Sequence, residues 1–138
     1  MSSEAITQND LTEILNNVLP PTNTDYVVSQ GTSDFWTYRK WNSGIAECWG
    51  TKTASIAGVS KTAPFSGYCF AFGVIAYPTG LFASGTVPTA VVSGRIDTNY
   101  NCVCYSNCYD SGVSTELQSN TSGTRNCYAY IHAYGTWK

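Results

Sequence analysis

This chain has little charge. Asp, Glu, Lys and Arg make up 12% of its 138 residues, against ~25% in ordinary soluble domains. The seven basic residues are scattered and the formal net charge is −2. A basic stripe of the kind that grips nucleic acid is therefore excluded. Histidine occurs once, at His132. Any Ser-His-Asp set would have to be built on it, and no serine sits in a Gly-x-Ser-x-Gly elbow. No apolar run approaches the ~20 residues of a membrane-crossing helix. Gly73 and Pro78 punctuate the most apolar stretch, Phe70 to Tyr77, so membrane insertion is not expected. Residues 1–19 lack the basic start and apolar centre of a secretory signal. The expectation is folding in a cytoplasm, where disulfides are rare even for a chain with six cysteines.

Aromatic residues are what the chain has in quantity. They make up 14% of it, with ten tyrosines and four tryptophans. Low charge with many aromatics is not a disordered composition. The length suits one domain with its own core. With so few charges, the surface must be built from Ser, Thr, Asn, Gly and Tyr, or be partly covered by another subunit.

Two regimes follow one another along the chain. Thr7 reads as a helix N-cap, with Asp10 three residues on as its capping-box partner. Leu11, Ile14, Leu15 and Val18 then repeat at helical spacing, and Pro20-Pro21 stops the helix. A helix this short is not stable alone in water. Its apolar stripe must dock on the same chain or on copies of itself around a symmetry axis. Residues 1–21 thus form a helical oligomerisation or docking segment, and residues 22–138 a single all-β domain. Period-two patterning predicts strands over Tyr26–Gln30, Phe35–Trp41, Ile45–Thr53, Tyr68–Tyr77, Ala90–Ile96, Tyr100–Tyr105, Val113–Gln118 and Asn126–Trp137. Turn-rich segments separate them at Thr62-Ala63-Pro64, Pro78-Thr79-Gly80, Asp97-Thr98-Asn99 and Asn120-Thr121-Ser122-Gly123. The expected fold is mainly β: a short N-terminal helix, then an antiparallel β-sandwich or jelly-roll-like head.

The densest patterning lies in Trp36-Thr37-Tyr38-Arg39-Lys40-Trp41-Asn42-Ser43-Gly44-Ile45-Ala46-Glu47-Cys48-Trp49-Gly50. It reads as a tight hairpin about Asn42-Ser43-Gly44, with Gly44 supplying the positive φ. Burial of aromatics is a large part of a domain's stability. Trp36, Tyr38, Trp41 and Trp49 are therefore expected to be largely buried, in the core or between chains.

This block, the final Ile131-His132-Ala133-Tyr134-Gly135-Thr136-Trp137-Lys138, and Asp10-Leu11-Thr12-Glu13-Ile14-Leu15 followed by Pro20-Pro21 resemble one family. It is the C-terminal β-domain of tail-fibre and related virion structural proteins from phages and prophages of Gram-positive bacteria. The resemblance implies a homotrimer, with Leu11, Ile14, Leu15 and Val18 in a bundle. It implies a place on the virion among other virion proteins, after assembly in a bacterial cytoplasm. It implies a non-catalytic fibre or tip module that attaches to a host-surface glycan, such as one of the cell wall. A particle-decorating or assembly protein without a receptor role, and a glycan-degrading enzyme, are the alternatives.

No constellation demands chemistry. Cys102, Cys104 and Cys108, with Cys127 and His132, have the wrong spacing for common zinc modules, and cysteine packs as a small hydrophobe. His132 would share a strand face with Tyr128, Tyr130 and Tyr134. Asp34, Glu47, Asp97, Asp110 and Glu116 lie on separate predicted elements, and nothing selects a pair for glycoside hydrolysis. No catalytic residue, metal or cofactor is expected. The stretch Tyr105-Ser106-Asn107-Cys108-Tyr109-Asp110-Ser111-Gly112 has the composition of an adaptable binding loop. Tyr105, Asn107, Tyr109 and Asp110 are its candidate ligand-binding residues, with the tyrosines as plates and Asn and Asp as hydrogen-bonding partners.

Overall fold

The structure is a computed structural model that describes residues 7–11, 13 and 24–138. At the N-terminal end, residues 8–11 and 13 are helical. The capping box is reciprocal: the Thr7 amide donates to Asp10 Oδ2 at 3.1 Å, and the Asp10 amide to Thr7 Oγ1 at 3.2 Å. These bonds hold the Asp10 carboxyl below the usual carboxylate range. Leu11 is exposed. Ile14, Leu15 and Val18, the rest of the apolar stripe, lie outside the described residues.

Among the described residues there are nine strands: β1 Val27–Ser33, β2 Trp36–Trp41, β3 Ile45–Ala57, β4 Val59–Lys61, β5 Gly67–Ala76, β6 Thr89–Ile96, β7 Val103–Cys108, β8 Gly112–Ser119 and β9 Thr124–Thr136. They pair antiparallel in two sheets, ordered β1-β2-β3-β9-β6 and β4-β5-β8-β7. The sheets face each other across a shared core, as in a sandwich.

Alternation on β9 explains that core. Cys127, Ala129, Ile131 and Ala133 point inward and are buried. Tyr128, Tyr130, His132 and Tyr134 point outward. On β3, Ala46 and Cys48 also point inward. Mostly small inward residues on the two central strands leave room for bulk from elsewhere. Trp36, Ile75, Tyr77, Leu81 and Val113 fill one cluster against them. Phe70, Ile96, Leu117 and Cys127 form a second cluster. Gly94 on β6 lies in this second region, where a Cβ would run into the Leu117 side chain.

Trp36 ties the sheets together. Its indole is 3% exposed, and its Nε1–H donates to the Ala76 carbonyl at 2.9 Å. The β2–β3 hairpin forms as expected: Gly44 has φ 98° and its amide donates to the Trp41 carbonyl at 3.0 Å. The hairpin end is latched by Trp137, whose amide donates to Gly44 O at 2.8 Å and whose indole donates to Trp41 O at 2.7 Å.

The structure departs from the expectation in several places, with β1 running on to Ser33 and β3 to Ala57. Strand β4 was not anticipated: it is three residues long and fully exposed, so its sequence carries no hydrophobic alternation. Strand β7 starts three residues later than predicted and runs to Cys108, so the expected loop Tyr105–Gly112 is strand as far as Cys108. Pairing with β8 wins there, and Cys104 packs against the second core cluster. Burial of the hairpin aromatics is uneven: Trp36 is buried, whereas Tyr38, Trp41 and Trp49 are half-buried. Tyr38 packs on the first cluster. Trp49 falls on the outward face of β3, so alternation exposes one of its sides.

Candidate functional site

The outer face of the four-stranded sheet carries a groove. Residues opposite one another on β7 and β8 are Tyr105 with Glu116 and Asn107 with Ser114. On β5 the register slips between Ala71 and Gly73. That bulge and its small side chains open a trough of about 250 Å³ lined by Ala71, Gly73, Tyr105, Asn107, Ser114 and Glu116. Tyr105 and Asn107 are thus brought together, on one strand face. Tyr109 and Asp110 are not in the trough. They lie in the short connection to β8, where the Tyr109 amide donates to Gly112 O at 2.8 Å. Tyr109 is exposed there.

Glu116, named from the sequence only among the scattered carboxylates, lines this groove. Lys61 Nζ donates to both carboxylate oxygens at 3.1 Å, and Cys69 Sγ donates to Oε2 at 3.2 Å. The thiol and ammonium hydrogen bonds hold the Glu116 carboxyl below the usual range. Lys61, bonded to that carboxylate, is pushed up. Burial pushes the Cys69 thiol up, aided by the carboxylate beside it. Cys69 therefore stays a thiol and is not an activated nucleophile. Three strands meet here, at residues 61, 69 and 116, and no local sequence pattern joins them. The only available signal was a lone acidic residue in the alternating stretch Val113–Gln118.

The outer face of the five-stranded sheet is different in kind. Register places Glu47, Trp49, Thr51 and Thr53 of β3 opposite Tyr134, His132, Tyr130 and Tyr128 of β9. Thr89, Val91, Ser93 and Arg95 of β6 lie on the other side of the same four. His132 Nε2 is 2.8 Å from Glu47 Oε2, and its ring meets Trp49 and Tyr134 at 6.1 and 6.3 Å between centroids. Arg39 lies over Trp49 at 5.0 Å and approaches Glu47 at 4.0 Å. Arg95 lies over Tyr128 at 4.2 Å. Between these stacked pairs is a shallow depression of about 360 Å³ walled by Trp49, Thr51, Val91, Ser93, Tyr130 and His132.

Among the described residues, no group of three or more His, Cys, Asp or Glu side chains could hold a metal ion. All six cysteines are free. Cys48, Cys69 and Cys127 are buried, Cys102 and Cys104 are half-buried and Cys108 is exposed. Burial pushes the Cys48 thiol up to about 12 and, with Asp97 and Cys102 adding to it, that of Cys127 to about 11. The hydrogen bond of His132 goes to Glu47 and not to a serine. No helix among the described residues is long and apolar enough to cross a membrane.

No protein-family model matches the chain, and no curated protein does. Among solved structures, the chain is similar to an N-truncated R1-type pyocin tail fibre, at TM-score 0.53 and 10% identity, over 90% of this chain and 94% of that one. A C-terminal portion of the P. aeruginosa R1 pyocin fibre aligns at TM-score 0.45 and 11% identity, over 95% of this chain and 32% of that one. At such identities the likeness is one of fold. The β architecture described above is shared, across nearly its whole length, with a tail-fibre structure.

Proposed function

We propose that this protein is a non-catalytic fibre or tip module of a phage-type particle that attaches to a host-surface glycan. The observation that carries the reading is the fold shared with a tail-fibre structure over 90% of this chain and 94% of that one. A saccharide fits the groove on the four-stranded sheet. Tyr105 offers a ring face for the C–H side of a pyranose. Asn107, Ser114 and Glu116 offer donors and acceptors for its hydroxyls, and the Lys61 and Cys69 bonds pre-orient Glu116. Tyr109 and Asp110 stand beyond the groove as its lip. The module works as a homotrimer on the virion, beside other virion proteins, with Leu11, Ile14, Leu15 and Val18 packing between copies. Light scattering should give a mass near three times 14.9 kDa. The double change Leu11→Asp and Leu15→Asp should lower that mass, because each places a charge in an apolar seam.

The test is binding of labelled protein to bacterial envelope fragments before and after periodate or protease treatment. Binding that periodate abolishes and protease leaves intact supports the reading, and Tyr105→Ala should then weaken it. Binding to no envelope, with antibody against the chain still decorating particles, would favour a decorating or assembly role instead. Release of sugar from the fragments would overturn the non-catalytic assignment.

A further inference from the structure

We infer that the outward face of β9 is a second carbohydrate surface, built for an extended neutral polysaccharide lying along the strand. The inference concerns the opposite sheet from the groove and does not depend on the groove being a site.

Four rings stand in line on β9, at Tyr128, Tyr130, His132 and Tyr134. Successive members of the line are ~7 Å apart, because every second residue of a strand points the same way. Two of the four neighbourhoods are already stacked: Arg95 covers Tyr128, and Arg39 covers Trp49 beside His132. Tyr130 and Tyr134, by contrast, are 39% and 49% exposed. Small hydroxyl residues flank these open rings. Thr51 and Ser93 sit either side of Tyr130, and Thr89 sits beside Tyr134. This is an aromatic rib with hydroxyl residues beside its open rings and the His132–Glu47 pair between them. Sugars present the same two kinds of surface: C–H faces that lie on rings, and hydroxyls around the rim. A linear β-linked polymer of equatorially substituted pyranoses offers an extended ribbon to lie along such a row.

Charge and size decide against the other occupants. Glu47 is the only carboxylate on these strand positions, and it is held by His132 at 2.8 Å and Arg39 at 4.0 Å. The strip therefore has no free anion to offer a basic partner, and Arg95, its one cation without a carboxylate, is stacked on Tyr128 at the end of the row. The three strands β3, β9 and β6 over the span Tyr128 to Tyr134 present a footprint of about 300 Å² at standard strand spacing. A stable protein interface needs about 800 Å² on each side. The strip alone falls well short of that, yet it accommodates several sugar rings.

The experiment is affinity electrophoresis of the full chain through gels containing glycol chitin or hydroxyethyl cellulose, with envelope binding measured in parallel. The wild-type protein should be retarded by at least one polymer. The double variant Tyr130→Ala/Tyr134→Ala should lose that retardation by tenfold or more in apparent Kd, with a wild-type melting curve and mass. Tyr130→Phe, which keeps the ring, should behave as wild type. Wild-type migration unaffected by either polymer would overturn the inference, as would a double variant retarded like wild type. A double variant with a smaller mass would also overturn it, by making the rib an interface between copies. Envelope binding that survives any of these failures leaves the fibre-module reading standing. Retardation by polymer without envelope binding would keep the rib and reject that reading.

Discussion

Trp36 should be the most costly tryptophan to remove. Its side chain is almost wholly buried, between β2 and the end of β5, where the indole bonds to Ala76 O. A buried tryptophan covers about 200 Å², which at ~25 cal/mol per Å² corresponds to ~5 kcal/mol as an upper bound. Truncation keeps the Cβ, and large aromatic-to-alanine changes in cores cost about 3–5 kcal/mol. Trp36→Ala should therefore cost about 4 kcal/mol, from a total of ~5–15 kcal/mol. Trp36→Phe keeps most of the ring but loses the hydrogen bond and some volume, for about 1–2 kcal/mol. Trp41 is a control from the same strand. It is half-buried, and the bond it receives from the Trp137 indole ends on its backbone carbonyl, which alanine retains. Trp41→Ala should cost only about 1–2 kcal/mol. Urea unfolding followed by far-ultraviolet circular dichroism measures all three, with Trp36→Ala melting ~15 °C below wild type at ~4 °C per kcal/mol. Equal losses for Trp36→Ala and Trp41→Ala, or a silent Trp36→Phe, would refute the assignment of Trp36 as the tie between the sheets.

Further outcomes are expected from the thiols and from Glu116. A disulfide reagent at pH 8 should label Cys108 first, then Cys102 and Cys104. Cys48 and Cys127 should react only on unfolding, because burial raises their thiols to about 12 and about 11; early labelling of Cys48 would contradict its place in the core. Reductant and chelator should each leave the melting temperature within a degree or two of its value, and a large loss with chelator would reveal a metal. The Glu116 carboxyl is lowered in the folded protein, so its contribution is present above the ordinary glutamate pKa and is lost as pH falls through the lowered value. The Glu116→Gln variant should therefore show less loss of stability on acidification below about pH 4 than wild type. The difference should be under ~1 kcal/mol, since the ion pair is partly solvated.

Much of the β architecture was legible because alternation is a strong signal when one face is buried. The outward row Tyr128, Tyr130, His132 and Tyr134 could be read directly from β9. So could the Thr7–Asp10 cap and the Gly44 turn, since each depends on residues within a few positions of one another. Strand β4 was not legible, as three exposed residues have no buried face to betray them. The start of β7 was misplaced because Tyr100 to Val103 alternates as plausibly as the strand itself, and only pairing with β8 selects the register. The groove was half legible. Tyr105 and Asn107 are two apart on one strand, whereas Lys61, Cys69 and Glu116 meet only through sheet order.

The strand that completes the five-stranded sheet is β9, the last in order of the nine described. Ile45 pairs with Thr136 and Ala57 with Thr124, and β6 has no neighbour in its sheet other than β9. Until β9 arrives, β3 and β6 are both open edges whose inward sides expose Ala46, Cys48 and Ile96. Closing that gap brings together residues far apart in sequence, so its loop-closure entropy falls due before the contacts that reward it. A nascent chain would wait with two sticky edges exposed, and partial products ending before Thr124 should aggregate rather than rest as half-sheets. Folding of this domain is thus a race between the arrival of the thirteen residues of β9 and the association of chains that lack it.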